Sequence, residues 1–500
     1  VDVLSLLLKG FSVALTPQNL LLCAGGVIMG TLVGALPGIG PTGAVAMLLP
    51  ATFKMHPAGA LIMLAGIYYG TQYGGTITSV LMGVPGESAS VVTAMDGYQM
   101  AKKGRAGAAL GIAAIGSFVG GTLSVLGLML VGPKLASFAL MFGPTQYFAL
   151  MMMAFSLVTA FTGKSTTRGL ISLAVGIFLS LVGQDVMTGA ERFTFGQVAL
   201  IDGIKFLPVG VGMFGLAEIL EGFEEEESSD MIEADLHWRK VLPSKAEMKE
   251  CAGPIARGTL IGFLSGLLPG VGATICSFLS YGVEQRISKK PEEFGKGSPA
   301  GVAAPETANN ACTGAAFVPM LSLGIPAGAT SAVLLGALIM FGLQPGPLLF
   351  QQSPDVVWGL IASMYIGNVM LAVINVACIP AFVWIMDKIK SYLSIVVLLL
   401  ATFGVYSYQN SIADVFIMIV FAVVGYLMGK VGIPKAPLVL GLLLGGMAES
   451  SLRQALTISH GSLSIFFESP ITMTFLALAV LSLGAGRLTR GGGKKKKAEA

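Results

Sequence analysis

Between residues 106 and 163 of this chain the only charged side chain is Lys134, and residues 356–386 and 415–429 carry none. About 20 consecutive apolar residues suffice for an α-helix to cross the hydrocarbon of a bilayer. Several segments here are long enough. Only 11% of the 500 residues are charged, where a soluble domain has about a quarter, so water is not the chain's main solvent. Dividing the apolar stretches at charges and at Pro/Gly punctuation gives candidate spans near 11–35, 58–83, 106–132, 135–162, 168–189, 195–220, 255–283, 311–341, 356–386, 391–410, 411–432 and 463–486, about 12 in all. The segments 42–53, 84–100 and 434–449 are short and read as re-entrant or interfacial. The fold class expected is an all-α polytopic membrane protein.

Other classes find little support. Residues 1–10 carry Asp2 and Lys9 around a short apolar core and lack the basic start and small-residue cleavage site of a secretory signal, so an amphipathic lead-in helix is expected. The five cysteines are scattered and show neither a disulfide framework nor a metal-ligand spacing. Net charge is only +3, too small to imply nucleic acid. Three histidines lie far apart, with no HExxH and no G-x-S-x-G; no catalytic residue and no organic cofactor is expected.

Charge concentrates in one place. Of the 57 Asp, Glu, Lys and Arg residues, 14 lie between Glu221 and Glu250, which marks a solvated joint. The expected organisation is a first membrane repeat (1–220), a charged linker (221–254), a second repeat with C-terminal helices (255–490) and a basic tail (491–500).

The halves resemble each other. Gly30–Thr42 reads GTLVGALPGIGPT and Gly262–Thr274 reads GFLSGLLPGVGAT, nine matches in thirteen positions (one of them Ile against Val) at an offset of 232. A weaker echo, GVPGESAS from Gly83 and GIPAGATS from Gly324, recurs at an offset of 241. Transporters are commonly built from such repeats, with the substrate site between them near the membrane midplane. In the first half Lys102, Lys103 and Arg105 follow the second motif; in the second half Arg286, Lys289, Lys290 and Lys296 lie between the two motifs. Basic residues favour the cytoplasmic side. The swap predicts opposite insertion of the halves, an inverted repeat.

The motifs themselves should interrupt helices. Proline lacks an N–H and disfavours helix in the residue before it, and glycine opens backbone angles closed to other residues. A broken helix survives in lipid only where its freed groups are buried in protein or line an aqueous cavity. A helix restarting after Gly40 would aim N–H groups and the positive end of its dipole into that cavity, a ready anion site. The candidate substrate-binding residues are Pro37, Gly38, Gly40 and Thr42, repeated as Pro269, Gly270, Gly272 and Thr274. Gly86, Ser88 and Ser90 belong with them, echoed by Gly328, Thr330 and Ser331, together with Asn309 and Asn310. Glu87 and Glu306 are coupling-ion candidates, because carboxylates embedded in a membrane are usually functional; either could instead sit at the water interface. Taken singly, such Gly, Pro, Ser and Thr residues are ordinary packing or kink residues, and Gly30/Gly34, Gly262/Gly266 and Gly66/Gly70/Gly74 have the spacing for close helix approach. Their duplication in order is what points to a site. The string GIGPTG from Gly38 also fits G-x-G-x-x-G, but no acid lies between Pro37 and Ser79 and a dinucleotide fold needs one about 20 residues on.

GTLVGALPGIGPTGAVAMLLPATF, GIYYGTQYGGTITSVLMGVPGESASVVTAMDGYQMAKKGRAGAALG and PETANNACTGAAFVPMLSLGIPAGATSAVLLGAL together resemble the large, TctA-type membrane subunit of the tripartite tricarboxylate transporters. The likeness extends over almost the whole chain. It implies a small membrane partner of about four helices, a periplasmic solute-binding protein, location in the bacterial inner membrane, and gradient-driven uptake (Na⁺ or H⁺) of citrate or a related carboxylate. By analogy with the three-part TRAP transporters it implies an elevator whose moving part carries the two LPGxG tips. The alternative is a channel or a membrane scaffold for a soluble partner.

Overall fold

The computed structural model describes all residues except 1–2, 37–38, 162–164, 186, 223, 225–231, 233–240 and 497–500. The chain is helical almost throughout. Its first half comprises α1 (Val3–Ala14), α2 (Pro17–Gly34), α3 (Pro41–Leu48), α4 (Pro57–Leu81), α5 (Val91–Lys102), α6 (Ala106–Ala139), α7 (Pro144–Phe161), α8 (Thr166–Ser180) and a helical stretch with a central π turn, α9 (206–222). The second comprises α10 (Lys245–Gly266), α11 (Gly272–Ile287), α12 (Pro299–Ala315), α13 (Phe317–Leu323), α14 (Ala329–Met340), α15 (Pro354–Ala377), α16 (Ile379–Gln409), α17 (Ile412–Lys430), α18 (Lys435–Ile458) and α19 (Pro470–Lys496). A two-residue antiparallel pair joins Gly183–Gln184 to Glu191–Arg192.

Five of these helices are long and apolar enough to cross a membrane: α2, α6, α7, α15 and α17. The outer faces agree. On α17, Ile412 (75% exposed), Phe416 (68%), Ile419, Val420, Val423 and Leu427 point outward at i, i+4, i+7, i+8, i+11 and i+15, while Met418, Ala422 and Gly425 are buried on the face that packs on α9. So continuous an apolar face belongs in lipid. The chain is a multi-pass membrane protein.

Small residues set the inner packing. A Cβ on Gly26, Gly30 or Gly34 of α2 would run into the backbone of Met63, Ile67 and Thr71 of α4. One on Gly258, Gly262 or Gly266 of α10 would meet the backbone of Ala304, Ala308 and Cys312 of α12. These contacts correspond residue for residue: the glycines are offset by 232 (262 − 30) and their partners by 241 (308 − 67), the same offsets as the sequence motifs. Glycine removes the side chain that would hold two helices apart. The internal repeat is thus a repeat of packing, and it extends outward: α6 packs on α12 and α15 on α4, while α3 meets α14 and α5 meets α11.

Several segments differ from the sequence expectation. Residues 434–449, read as a short interfacial piece, belong to the 24-residue α18. There Pro434 is only the N-cap, and Gly441 and Gly445 are packing residues against α8. The 356–386 run ends at Ala377, where Pro380 opens α16, and the proposed 391–410 span lies inside that same helix. Residues 195–220 are not one span; a turn-rich stretch precedes α9. The runs 255–283 and 311–341 are each broken, between α10 and α11 and between α13 and α14.

The basic stretches of the two halves meet at one end of the molecule. Lys103 Nζ donates to the Lys296 carbonyl at 2.5 Å, and Arg105 pairs with Glu247 in the first turn of α10. Buried Asp96 on α5 accepts hydrogen bonds from the Gly297 and Ser298 amides, both at 2.8 Å, and from the Tyr281 hydroxyl at 2.9 Å.

Candidate functional site

Each motif interrupts a helix and starts another. α2 stops at Gly34 and α3 begins at Pro41 with extended Gly40 as its N-cap; α10 stops at Gly266 and α11 begins at Gly272. Pro37 and Gly38 lie outside the described residues. At the equivalent tip Gly270 (φ +87°) and Gly272 (φ +60°) take left-handed backbone conformations that cost a residue with a Cβ about 1–2 kcal/mol. Gly270 has a second reason to be glycine, since a Cβ there would come within 2.8 Å of the Leu157 carbonyl oxygen and the Val158 Cα on α7. The second motif opens in each half with a left-handed glycine, Gly83 (φ +71°) after α4 and Gly324 (φ +72°) after α13, the helix-ending position that glycine favours. From there the chain runs to the starts of α5 and α14.

The four interruptions meet around one cavity of about 370 Å³, a size typical of small-molecule sites. Its wall includes Pro41 and Thr42 from the first break, Glu87 and Ser88 from the second, Gly270, Gly272 and Thr274 from the third, and Gly328 and Thr330 from the fourth. Direct bonds tie the breaks together, two across the halves and one within the second. Thr42 and Thr330 share a hydroxyl–hydroxyl bond of 2.8 Å, Ser88 and Thr274 one of 2.9 Å, and the Gly270 amide donates to the Ala327 carbonyl at 2.7 Å. First turns of α3, α11 and α14 all supply wall residues, so three helix N-termini with partial positive charge lie at the same space, the α3 end with the Glu218 carboxyl already on its Gly40 amide. No lysine or arginine is among the described lining residues.

The other candidates are placed differently. Gly86 is wedged where a Cβ would strike the Gly34 carbonyl. Ser90 is buried and bonds to Ser79 Oγ and to the Glu87 carbonyl, both at 2.8 Å. Ser331 closes the first turn of α14 by accepting from the Gly328 amide at 2.8 Å, and Pro269 is buried at its tip without lining the cavity. These are supports of the wall. Asn309 and Asn310 are fully buried on α12 and outside the lining, with Asn310 Nδ2 donating to the Glu306 carbonyl at 3.1 Å. Glu306 is also fully buried away from the cavity. Its carboxylate accepts from the hydroxyls of Thr93 (2.5 Å), Thr76 (2.8 Å) and Ser117 (3.4 Å), which stand on α5, α4 and α6.

Two polar residues of the cavity wall are not among the candidates named from sequence. Tyr68 and Gln72 project from unbroken α4, one helical turn apart. Gln72 is an amide in a helix otherwise buried inside the protein, and that rarity is the signal that could find it.

A family model described as "Tripartite tricarboxylate transporter TctA family" matches residues 20–440. Over 479 residues the chain is 45% identical to an uncharacterized 52.8 kDa protein in the TAR-I ttuC' 3' region of Agrobacterium vitis, covering 96% of this chain and 95% of that protein. An uncharacterized protein in the TAR-II ttuC' 3' region of the same organism is 42% identical over 220 residues, 44% of this chain and 91% of its own length. An uncharacterized protein of Methanocaldococcus jannaschii is 29% identical over 196 residues, 38% of this chain and 47% of that protein. No solved structure matches.

Proposed function

Since the chain belongs to the tripartite tricarboxylate transporter TctA family, we propose that it is the translocating subunit of a gradient-driven importer of small organic carboxylates, working in the bacterial inner membrane. A small membrane subunit and a periplasmic binding protein that delivers the substrate complete the system. The observation that carries this reading is the convergence of four helix interruptions on one cavity walled by hydroxyls and helix N-termini. Carboxylates accept hydrogen bonds, and this wall offers donors.

Magnitudes suggest why a coupling ion takes part. One helix N-terminus stabilises an anion by about 0.3–1 kcal/mol, up to roughly 2 in partly buried geometry. A cation about 4 Å from a carboxylate contributes on the order of 4 kcal/mol at an effective dielectric of 20, before desolvation is subtracted. With no Lys or Arg in the described wall, a co-transported Na⁺ or H⁺ is the natural counter-charge, and its gradient then drives uptake.

The paired bonds support an inverted repeat. Exchanging the halves carries Thr42 to Thr274, and each bonds to a hydroxyl of the other half's second motif, Thr330 and Ser88, which lie one position from strict equivalence at the offset of 241. The ends of α5 and α11 gather the basic residues at one face. α11 is the counterpart of α3, not of α5, and a basic end shared by non-equivalent helices is what inverted insertion would produce. Elevator motion follows by analogy, with the tip at Gly270 sliding on α7.

The test is uptake by proteoliposomes holding this chain and both partners, scanned over mono-, di- and tricarboxylates with Na⁺ and H⁺ gradients imposed separately. Saturable accumulation that needs the binding protein and one gradient is expected. Passive flux independent of both would instead favour a channel.

A further inference from the structure

The cavity wall holds a pair of acceptors that nothing among the described residues satisfies. Glu87 is 5% exposed; its Oε2 accepts from the Ala89 amide at 3.0 Å, but its Oε1 has no hydrogen-bond partner. Gln72 is 1% exposed, and its Oε1 is likewise without a partner. Both residues line the cavity. They also belong to one small region: the Glu87 side chain lies against α4 at Gly75, where a Cβ would come within 2.6 Å of Glu87 Cγ, one turn from Gln72. Buried oxygens of this kind are almost always satisfied.

Glu306 provides the contrast. Three hydroxyl donors cover its carboxylate, so its demand is met by the protein alone. Glu87 has donors on one oxygen only, and the repeat supplies no counterpart, because the position 241 residues on is Gly328. The carboxyl of one half therefore faces helix N-termini from both. Once ionised, it would repel a substrate carboxylate entering this space unless a cation stood between them.

We propose that Glu87 Oε1 and Gln72 Oε1 are ligands of a Na⁺ site in the cavity wall, which must fill before the anion binds. The assignment rests on the transport reading above and names the ion site within it. Oxygen acceptors without donors suit a hard cation, and broken-helix transporters place Na⁺ beside the substrate. Cation and anion would then each raise the other's affinity by the same factor, as linkage requires.

The test uses the purified full-length chain in nanodiscs without any carboxylate, its thermal unfolding followed in NaCl or choline chloride at matched ionic strength and at neutral and acid pH. A Na⁺-dependent rise in Tm is expected for the wild type. Glu87→Gln and, independently, Gln72→Leu should lose the rise or need about tenfold more Na⁺ or beyond; if one variant does not fold, the other decides. A wild type indifferent to Na⁺, a rise kept undiminished by the variants, or a rise reproduced by acid in choline would each overturn the proposal, the last in favour of a proton. Because no carboxylate is present, failure here leaves the importer reading standing. A Na⁺ response without uptake of any acid would strike that reading alone.

Discussion

Thr42 on α3 and Thr330 on α14, 288 residues apart in sequence, share a 2.8 Å hydroxyl bond at the wall of the cavity. The bond holds two helix starts from different halves at hydrogen-bonding distance, with both residues on the cavity wall.

Thr42→Val and Thr330→Val should each weaken substrate by about 1 kcal/mol, roughly fivefold in apparent affinity. The double variant should lose less than the sum, because the two hydroxyls share a bond. Concentration dependence of uptake in the four proteins measures this. Strict additivity would mean that the pair does not act as a unit.

Gly270 is expected to tolerate nothing larger. Its φ of +87° and the 2.8 Å approach to α7 both oppose a side chain, and Gly270→Leu should abolish uptake while the protein still elutes as a folded species. Gly25, where a Cβ would meet nothing within 4 Å, is the control: Gly25→Ala should transport normally. Equal behaviour of the two variants would refute the role given to the tip.

Asp96→Ala should destabilise the end of the molecule where α5 and α11 meet. It strips the acceptor from the Gly297 and Ser298 amides and the Tyr281 hydroxyl, and each buried group left unpaired costs about 1–3 kcal/mol. A drop in Tm well beyond that of an exposed Asp→Ala change, such as Asp202→Ala, is expected in detergent.

Glu247, in the first turn of α10 beside the charged linker, links acidity to stability. Burial raises its carboxyl, but the Ser244 hydroxyl and amide and the Arg105 guanidinium outweigh that and hold it below the ordinary 4.5. A carboxylate lowered on folding stabilises the protein above its unfolded pKa, and the gain disappears as pH falls through the folded value. Wild type should therefore lose stability on acidification below pH 4.5, and Glu247→Gln should lose less of it. Parallel Tm–pH curves for the two proteins would contradict the assignment.

The tips are legible because Pro-Gly pairs in an apolar run leave the backbone few options, and their duplication singles them out. Tyr68 and Gln72 are not, since α4 is unbroken and no local signal says which of its faces meets a cavity. Asn309 and Asn310 are donors or ion ligands by sequence, in a weakly polar segment, yet α12 is enclosed by α6, α10 and α11, and that packing is a tertiary fact. Spans differ from expectation where punctuation has another use: Gly441 and Gly445 join α18 to α8 rather than ending a helix, and Pro380 begins a helix rather than breaking one.

The hydroxyls that hold Glu306 belong to α4, α5 and α6, all made before it. As the chain leaves the ribosome, Thr76, Thr93 and Ser117 are made some 200 residues ahead of their acceptor, as the separations of 230, 213 and 189 residues show. The first half cannot reach its final arrangement during its own synthesis. Truncated products ending before α12 should consequently be targets for membrane quality control rather than stable half-molecules.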